Sequence, residues 1–568
     1  MKKGSTEFKK PYSREIFGAE STAHYAYPKE ALVAEEIFPY LVLDSGASQL
    51  AHDRFGGIHG DRLLELTMSG ELFREFTYKG EFNWESSFAY THGTDLTPKY
   101  EWQIWPQRLY MTIPVAHAFL RTGDRKYADA WLKIVKGWDE AHPYQPFDPD
   151  IYYLDTDMTW RDMQVAWRTM SLLHGLFMLQ DAPFTIDEWK YLYDFVLLHA
   201  KHLYIEALDR LERRHVQNHV LQIGVVLIMA GVMFPEYENA RDIVDIGIDT
   251  VRMNLSGIYS DGGSNEDSPS YSHFIVRLYL EAYLLLRNNG LEIPDGLYES
   301  ICRQYEWVYG MSAPDGKVIP FSDSYSIDTL ADIERARALI PLELPRERGS
   351  RLFAESKAAV IRCGELSLYV DAMDFIPNGH QHTGRPQTVL YYGTSPVLVD
   401  SGCSSYDRWE LYLYLRKMSQ HNVLYCPDIP DGEYSINTEI TEFDPSEARI
   451  VLRSQVKGGG KEYEWVRSIK IKGQTVEICD TGSSKEPIRW ESRLFLAQGD
   501  TKFYGREDAR LKRLGEDYLM TLASDRPFDT ELMPVMNAKN RIDYAVVTRI
   551  CDTGSHFESK ITLEFEKR

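Results

Sequence analysis

The sequence predicts a multidomain α+β protein, with an N-terminal incomplete (α/α) toroid followed by a C-terminal antiparallel β-sandwich. Three observations support this fold class. The chain has 568 residues, more than one compact core accommodates. Apolar residues recur every three or four positions up to about residue 345, as in amphipathic helices. Further on they alternate with polar residues, as in half-buried strands. We therefore assign residues 1–345 to the helical toroid domain and residues 346–568 to the β-sandwich domain.

The helical region is predicted to begin at Pro28, because proline suits the first turn of a helix. Val216–Met233 is apolar nearly all round, which predicts a buried helix. Short connections with Gly, Pro or Asp favour antiparallel helical hairpins, and a ring of such hairpins is an (α/α) toroid. The other segments with helical spacing are Tyr100–Leu120, Lys126–Trp138, Thr159–Leu179, Ile186–Leu208, Arg241–Leu255, Ser270–Arg287 and Pro294–Tyr309.

The pattern changes at Pro341–Gly349, a charged segment with two prolines that we interpret as a linker. Beyond it, short alternating segments separated by Gly-rich turns predict an antiparallel β-sandwich. These segments include Ala358–Cys363, Leu366–Val370, Thr388–Gly393, Arg449–Arg453, Thr475–Cys479 and Ile561–Phe565.

Composition limits the function classes. The formal net charge is −22, whereas a nucleic-acid partner requires a basic surface, so we expect none. An anionic polysaccharide stays compatible with this charge, because charges more than about 10 Å apart are screened at ordinary ionic strength. The 36 Tyr and 12 Trp suit both core packing and stacking on sugar rings. Six widely spaced cysteines predict free thiols.

The sequence shows no apolar stretch long enough for a membrane span, and its N-terminus lacks the apolar region of a signal peptide. We expect no membrane partner. The expected location is cytoplasmic for the sequence as given, or secreted or periplasmic if a signal peptide was removed. A homodimer is left open.

Histidines and an aspartate lie at strand ends in the β region. His380 and His382 are two residues apart in a Gly- and Pro-rich loop, Asp400 follows an apolar strand, and His421 precedes another. His382, Asp400 and His421 suit a divalent metal ion, zinc above all, for which a structural role is favoured over a catalytic one. Because His-x-His recurs by chance, the prediction depends on the accompanying Asp400 and His421.

Three polar motifs in the helical region are candidates for chemistry. Asn218 and His219 begin the apolar helix, either as a cap with a satisfied core histidine or as a clamp for a substrate carboxylate. Tyr271 follows a polar, Gly-rich loop in the first turn of a helix, where we favour a general acid over a packing residue. For His273 a substrate-binding and a surface role stay open.

Aromatic and basic residues also alternate along the helical region. Trp160, Arg161 and Arg168 belong to one predicted helix, where the two arginines, seven residues apart, share a face. They would bind sugar carboxylates or sulfates, or they would form ion pairs with acids such as Asp162. The same two interpretations apply to Trp102 and Arg108.

The order of these motifs resembles that of the heparinase II/III-like polysaccharide lyases, a superfamily of glycosaminoglycan lyases and oligoalginate lyases. The resemblance rests on Asn-His, Ser-Pro-x-Tyr, Gly-His-x-His, Leu-Val-Asp-Ser-Gly and His-Asn-x-Leu, in this order. It implies that Asn218 and His219 neutralise a uronate carboxylate and that Tyr271 and His380 are catalytic. It also implies metal binding by His382, Asp400 and His421.

Two details of the resemblance stay open. Some relatives use a tyrosine of the β region, for which Tyr406, Tyr412 and Tyr414 are the candidates. This chain has Thr383-Gly384 after the second histidine, where many relatives have a small residue and an acid. The surroundings of the metal site are therefore less well defined than its ligands.

The expected reaction is β-elimination in a uronic-acid-containing polysaccharide or oligosaccharide, which leaves a 4,5-unsaturated uronate. Donors near the uronate carboxylate would stabilise the charge that develops when the C5 proton is removed. We expect glycosaminoglycans as the first substrate class and alginate as the second. One alternative is a glycoside hydrolase on the same toroid, using carboxylates among Asp162, Glu266 and Asp267. Another is a non-catalytic carbohydrate-binding protein.

Overall fold

The computed structural model describes residues 60–70, 77–78, 81–82, 106–150, 159–235, 237–375, 379–404, 409–536 and 542–568. The predicted helix at Pro28 lies outside these ranges. The chain forms two compact units. The helical unit comprises the described residues up to Gly257 together with Phe274–Ile301, and the sheet unit comprises those of Ile258–His273, Cys302–Ser404 and Glu410–Arg568. The predicted domain boundary between residues 345 and 346 follows the change in residue pattern and stays a prediction.

Helices occupy most of the described chain up to residue 339. They are α1 Gly60–Ser69, α2 Thr112–Thr122, α3 Arg125–Ala141, α4 Asp162–Met178, α5 Ile186–Glu212, α6 Asn218–Met233, α7 Ala240–Asn254, α8 Pro269–Asn288, α9 Leu297–Gly310 and α10 Thr329–Leu339, with α11 Trp409–Leu415 further on. All helices predicted between Lys126 and Tyr309 are confirmed. The long helix α5 begins where Thr185 and Glu188 form a capping box, which satisfies two otherwise unpaired N–H groups.

The predicted helix Tyr100–Leu120 is wrong as a continuous element. Its described part contains a 3₁₀ turn, Pro106–Arg108, and the α-helix begins only at Thr112. Leu109 interrupts the two with a φ of 56°, a left-handed conformation that a right-handed helix does not contain. Apolar spacing does not reveal such a break, because the side chains on both sides still face the core.

The apolar helix α6 is buried along nearly its whole length, as predicted. It packs closely on α7 at two glycines: a Cβ added to Gly247 would lie 2.8 Å from the carbonyl oxygen of Gly224. The two backbones therefore approach in direct contact, which any side chain at these positions would prevent. Among the described helices, none combines the length and apolar character needed to cross a membrane.

The sheet unit contains a large antiparallel sheet, as the alternating segments predict. Its longest strands, β12 and β17, pair with each other over most of their length. All six cysteines are free thiols, as predicted. After the short hairpin β1 Thr77–Tyr78 and β2 Glu81–Phe82, the strands are β3 Arg351–Phe353, β4 Ala358–Cys363, β5 Leu366–Asp371, β6 Gln387–Tyr392, β7 Ser395–Leu398, β8 Leu424–Tyr425, β9 Ser435–Asp444, β10 Arg449–Gly458, β11 Lys461–Lys472, β12 Thr475–Leu496, β13 Asp500–Phe503, β14 Arg510–Leu514, β15 Tyr518–Ser524, β16 Asp529–Met536 and β17 Ile542–Lys567.

The hairpin β6–β7 positions the polar residues of the β region. Because the two strands are antiparallel, the chain entering β6 and the chain leaving β7 lie at the same end of the hairpin. The side-chain amide of Asn422 donates to the carbonyl oxygens of Thr388 (2.7 Å) and Val399 (2.8 Å), one on each side of the hairpin. Its own oxygen accepts from the N–H of Phe495 on β12 at 2.7 Å. Asn422 thereby fixes the neighbouring His421 at this end of the hairpin.

Two buried histidines on α5 lie in an aromatic cluster of the helical unit. His199 and His202 are fully buried, and the ring of His202 lies 5.8 Å from that of Trp160. Neither ring nitrogen of His202 has a hydrogen-bond partner. Burial, together with the charges of Arg168 and Arg161, lowers the pKa of His202 to about 3. Both histidines are therefore neutral in the folded protein, since burial also lowers the pKa of His199.

We expect the protein to lose stability on acidification because of His202. In the unfolded chain this group takes up a proton near its ordinary pKa of 6.5, but in the folded protein only near pH 3. Between these values the unfolded state binds more protons, so the free energy of unfolding decreases by about 1.4 kcal/mol per pH unit for each such histidine. The His202→Phe variant should show a smaller decrease in Tm between neutral and acidic pH, measured by circular dichroism. His556→Phe, at an exposed position, is the control, and parallel profiles of wild type and His202→Phe would contradict the prediction.

Candidate active site

The structure brings together Tyr271 and His380, two of the four residues predicted to be catalytic, the others being Asn218 and His219. Tyr271 is the third residue of α8, and His380 lies in the loop before β6, which we call the His380 loop (residues 379–386). Their rings are stacked, with centroids 3.5 Å apart and planes inclined by 19°. Tyr271 is half-buried, and the His380 side chain is 22% exposed. A phenol and an imidazole are thus placed side by side with partial access to solvent.

A buried carboxylate, that of Asp323, holds this imidazole. One Asp323 oxygen lies 3.2 Å from Nδ1 of His380 and the other 2.9 Å from Nε2 of His382. The phenol of Tyr412 donates to Asp323 at 3.0 Å, and Arg416 forms an ion pair with it at 3.2 Å. Burial raises the pKa of Asp323, but the hydrogen bonds from His380 and His382 and the charge of Arg416 outweigh it and hold this pKa well below its usual range. Asp323 is therefore ionised.

Backbone contacts connect the segment of Asp323 to that of Tyr271. The hydroxyls of Ser268 and Ser270 donate to the carbonyl oxygen of Asp323 at 3.0 and 3.1 Å. The N–H of Asp323 donates to the carbonyl oxygen of His380 at 3.0 Å. We call residues 266–271 the Tyr271 segment and residues 322–324 the Asp323 segment. Together with the His380 loop, they form one hydrogen-bonded assembly.

Arg416 fixes the His380 loop from the other side. Its guanidinium donates to the carbonyl oxygens of Gly379 (2.8 Å) and Gln381 (2.7 Å), the two neighbours of His380. Sequence reasoning missed Asp323 and Arg416. The one available signal for Asp323 is the polar trio Ser322-Asp323-Ser324 between apolar Val318–Phe321 and Tyr325, and it does not point to a histidine partner.

The second nitrogen of His380 faces another carboxylate. Nε2 lies 3.4 Å from an oxygen of Glu266, whose side chain is 10% exposed. Nδ1 is directed to Asp323, which is fully buried, whereas Nε2 faces the less completely buried Glu266. This geometry suits proton exchange at Nε2, because Asp323 fixes the orientation of the ring through the other nitrogen.

The three predicted metal ligands are also brought together. His382, Asp400 and His421 are at most 1% exposed, and one potential ligand atom from each lies within 4.8 Å of the others. Nδ1 of His382 and Nε2 of His421 are buried without a hydrogen-bond partner. Burial lowers the pKa of His382 to about 4, although Asp323 opposes this, so its imidazole is neutral. Two buried imidazoles, each with an unused nitrogen, beside a carboxylate fit a divalent metal ion such as zinc.

The packing around Gly384 explains why a residue without a side chain lies two positions after His382. A Cβ on Gly384 would lie 2.1 Å from Cδ2 of His421, so a side chain there would displace this imidazole. His421 is held in its place by a 2.9 Å contact between Nδ1 and Asp400. The absence of a side chain at residue 384 thus allows the His380 loop to pack directly on His421.

Three further predicted site residues are His273, Asn218 and His219. His273 is buried, with Nδ1 3.0 Å from Asp332 and Nε2 3.1 Å from the hydroxyl of Thr329, so it is no surface residue. Asn218 and His219 are the first two residues of α6 in the helical unit, where Asn218 is buried and His219 half-buried. The substrate roles of all three stay predictions.

The predicted sugar-binding residues of α4 and its neighbourhood are buried. Arg168 is fully enclosed, donates to the ring of His199 at 2.8 Å, and lies 4.8 Å from the ring centroid of Trp160. Arg108 donates to the side chain of Gln164 at 2.7 Å. Their roles in substrate binding stay predictions, as does that of Arg161, which is 8% exposed. Trp102 and Tyr406 lie outside the described residues.

Two of the curated relatives that the chain matches are bacterial enzymes. The heparin-sulfate lyase of Bacteroides stercoris is 26% identical over 285 residues, which are 46% of this chain and 41% of that protein. The heparin-sulfate lyase of Bacteroides thetaiotaomicron is 26% identical over 268 residues, 45% of this chain and 36% of that protein. The chain thus spans about two fifths of the length of the curated relatives it matches.

Comparison with solved structures confirms the predicted fold class. The crystal structure of heparinase III superimposes with a TM-score of 0.74 at 16% identity, covering 94% of this chain and 86% of that chain. At this identity the likeness concerns the fold alone, a helical N-terminal region followed by an antiparallel sheet region.

Family models extend over most of the chain and agree with the resemblance seen in its motifs. Residues 57–342 match the model for the heparinase II/III N-terminus, and residues 345–527 match the heparinase II/III-like C-terminal model. The chain therefore belongs to the heparinase II/III family.

Proposed function

We propose that this protein is a polysaccharide lyase that cleaves uronic-acid-containing glycans by β-elimination, with glycosaminoglycans as the first substrate class and alginate as the second. The observation that supports it best is the stacking of Tyr271 on His380, at 3.5 Å, beside the buried carboxylate of Asp323. The names of the relatives, heparin-sulfate lyases, support the same reaction class. An acid and a base held side by side are what elimination across a sugar C4–C5 bond requires.

In the proposed reaction, Nε2 of His380 removes the C5 proton of the uronate. The electron pair of the C5–H bond forms the C4–C5 double bond as the C4–O4 bond breaks. The phenol of Tyr271 gives its proton to the departing O4, and exchange with solvent restores both groups. Asp323 keeps the imidazole oriented and stabilises its charge after proton uptake, as carboxylates do for histidine bases elsewhere.

We further propose that His382, Asp400 and His421 bind a divalent metal ion, zinc above all. The ion would cross-link the His380 loop to the ends of β7 and β8 and would have a structural role. His382 would use Nδ1 for the ion while its Nε2 donates to Asp323 at 2.9 Å, an arrangement typical of metal-binding histidines. The ligand set would thereby hold the carboxylate that orients His380.

The hydrolase alternative predicts a different product. It requires two carboxylates on either side of the glycosidic bond. Of the acids considered for it, Asp267 is buried against Arg385, and Glu266 lies 3.4 Å from His380. These contacts favour the lyase, and a hydrolase would release saturated sugar ends only.

We expect wild-type protein to release products with the near-ultraviolet absorbance of an unsaturated uronate when screened against heparan-type, hyaluronan, chondroitin and alginate substrates. Tyr271→Phe and His380→Ala should each lower kcat by roughly 10²–10⁴-fold, because each removes a proton-transfer group. Tyr544→Phe, at an exposed position of the sheet unit, should retain wild-type kcat. Saturated products, or full activity of both site variants, would refute the proposed lyase mechanism.

We expect Asp323→Asn to lower kcat by at least about 10-fold while KM changes little, because the amide no longer fixes the His380 ring in one orientation. The matched control is Asp480→Asn, which alters another buried aspartate paired with an arginine in the sheet unit. Thermal unfolding of each variant defines a temperature at which all are folded for the assay. Equal kcat values for Asp323→Asn and Asp480→Asn would exclude the proposed role of Asp323.

Purified protein should contain about one zinc ion per chain, because the three candidate ligands form one site. Elemental analysis by mass spectrometry should find little zinc in His382→Ala and in His421→Ala. Gly384→Ala should bind zinc more weakly, because its Cβ would displace the His421 ring. His556→Ala is the control for loss of an unrelated, exposed histidine. Wild-type protein that takes up no divalent metal would disprove the site.

A further inference from the structure

A second buried ion group is centred on Arg385 and contacts the segments that carry the stacked pair. This residue belongs to the His380 loop, and its side chain is 0% exposed. The guanidinium donates to the carboxylate of Asp371 at 2.8 Å and to the hydroxyl of Ser322 at 2.9 Å, and it forms an ion pair with Asp267. One side chain therefore contacts the Tyr271 segment, the Asp323 segment and the end of β5.

Asp267 occupies a constrained position in the Tyr271 segment. It follows Glu266 directly and precedes Tyr271 by four residues. Its φ of 48° is left-handed, a conformation that residues other than glycine rarely adopt. Such a conformation persists only where surrounding contacts enforce it, and the ion pair with buried Arg385 is such a contact. The path of the chain into α8, and hence the position of Tyr271, depends on it.

The charges of this group indicate how the two carboxylates differ. One cation faces two buried acids, and burial raises the pKa of both Asp267 and Asp371, against the charge of Arg385. The Asp371 carboxylate accepts from Arg385 and also from the N–H of Met373 at 3.2 Å. The two acids thus share one cation, and Asp371 has a second donor. An asparagine at residue 267 would keep the size of the acid and an oxygen that can accept from Arg385.

We propose that Arg385 and Asp267 are positioning residues, which hold the Tyr271 segment against the His380 loop and so set the stacking of Tyr271 on His380. This inference rests on the proposed lyase function. Neither residue is assigned a contact with substrate. Their effect on the reaction is through the relative placement of the two rings, and a small misplacement of reacting groups can cost about 10²-fold in rate.

The test compares four variants with wild type in the uronate absorbance assay, at a temperature where circular dichroism shows all of them to be folded. Asp267→Ala should lower kcat by about 10–100-fold with KM little changed. Asp267→Asn should recover most of that loss, because the amide keeps the shape of the acid and an oxygen that accepts from Arg385. Arg385→Lys should also lose kcat, since an ammonium group cannot bridge three segments as a planar guanidinium does.

The matched control is Asp480→Ala, which breaks the buried pair of Asp480 with Arg467 in the same unit, 2.8 Å between nitrogen and oxygen. It should lower Tm without lowering kcat of the folded protein. If Asp267→Ala lowers Tm but keeps wild-type kcat, the pair is structural only and the inference is overturned. The same holds if Asp267→Asn is as impaired as Asp267→Ala. If wild type itself forms no unsaturated product, the proposed function fails first.

Discussion

The candidate site depends on one buried charge, the carboxylate of Asp323. Removing an ion from water is costly unless hydrogen bonds and opposite charges replace its hydration. Here the replacement comes from two histidines of the His380 loop, Tyr412 on α11 and Arg416 just beyond it. These donors belong to different elements of the sheet unit. Because together they replace the lost hydration of the Asp323 carboxylate, they hold several segments in place at once. Loss of any one donor would leave the buried Asp323 carboxylate with fewer hydrogen bonds. The segments that carry the donors therefore keep their positions together.

The same carboxylate connects the candidate metal ligands to the candidate catalytic histidine. His382 directs one nitrogen to Asp323 and leaves the other unpaired beside Asp400 and His421. Its partner two residues earlier, His380, directs one nitrogen to the same aspartate and the other toward Glu266. Two histidines of the same loop thus share one acceptor, and their other nitrogens face different groups. A metal ion at this site would act on the orientation of His380 through His382 and Asp323, and it would not need to contact a sugar.

Much of this site follows from the sequence because its components lie at strand ends. Residues that enter one strand and leave its antiparallel neighbour must meet, which accounts for His382 and Asp400 at the β6–β7 hairpin. His421 is grouped with them because it lies at the start of another predicted strand. Tyr271 and His380 were paired through the order of family motifs. Asp323 could not be found this way, since its partners lie 57 to 93 residues away in the chain and a single aspartate in a loop has no periodic signal. The sequence analysis does not predict the helix α11 or the left-handed Leu109. Apolar spacing indicates which side chains face the core, but it does not indicate where the backbone changes direction.

Asp323 and Arg385 complement each other in sign. One is a buried anion surrounded by donors, and the other is a buried cation surrounded by acceptors. Each connects the His380 loop with neighbouring segments, Asp323 through its side chain and the serine contacts to its carbonyl group, Arg385 through Asp267 and Ser322. Loops position reactive groups less precisely than strands or helices do, unless packing and hydrogen bonds fix them. These two oppositely charged anchors hold the His380 loop at different residues, which restrains the loop that carries one of the two rings stacked 3.5 Å apart.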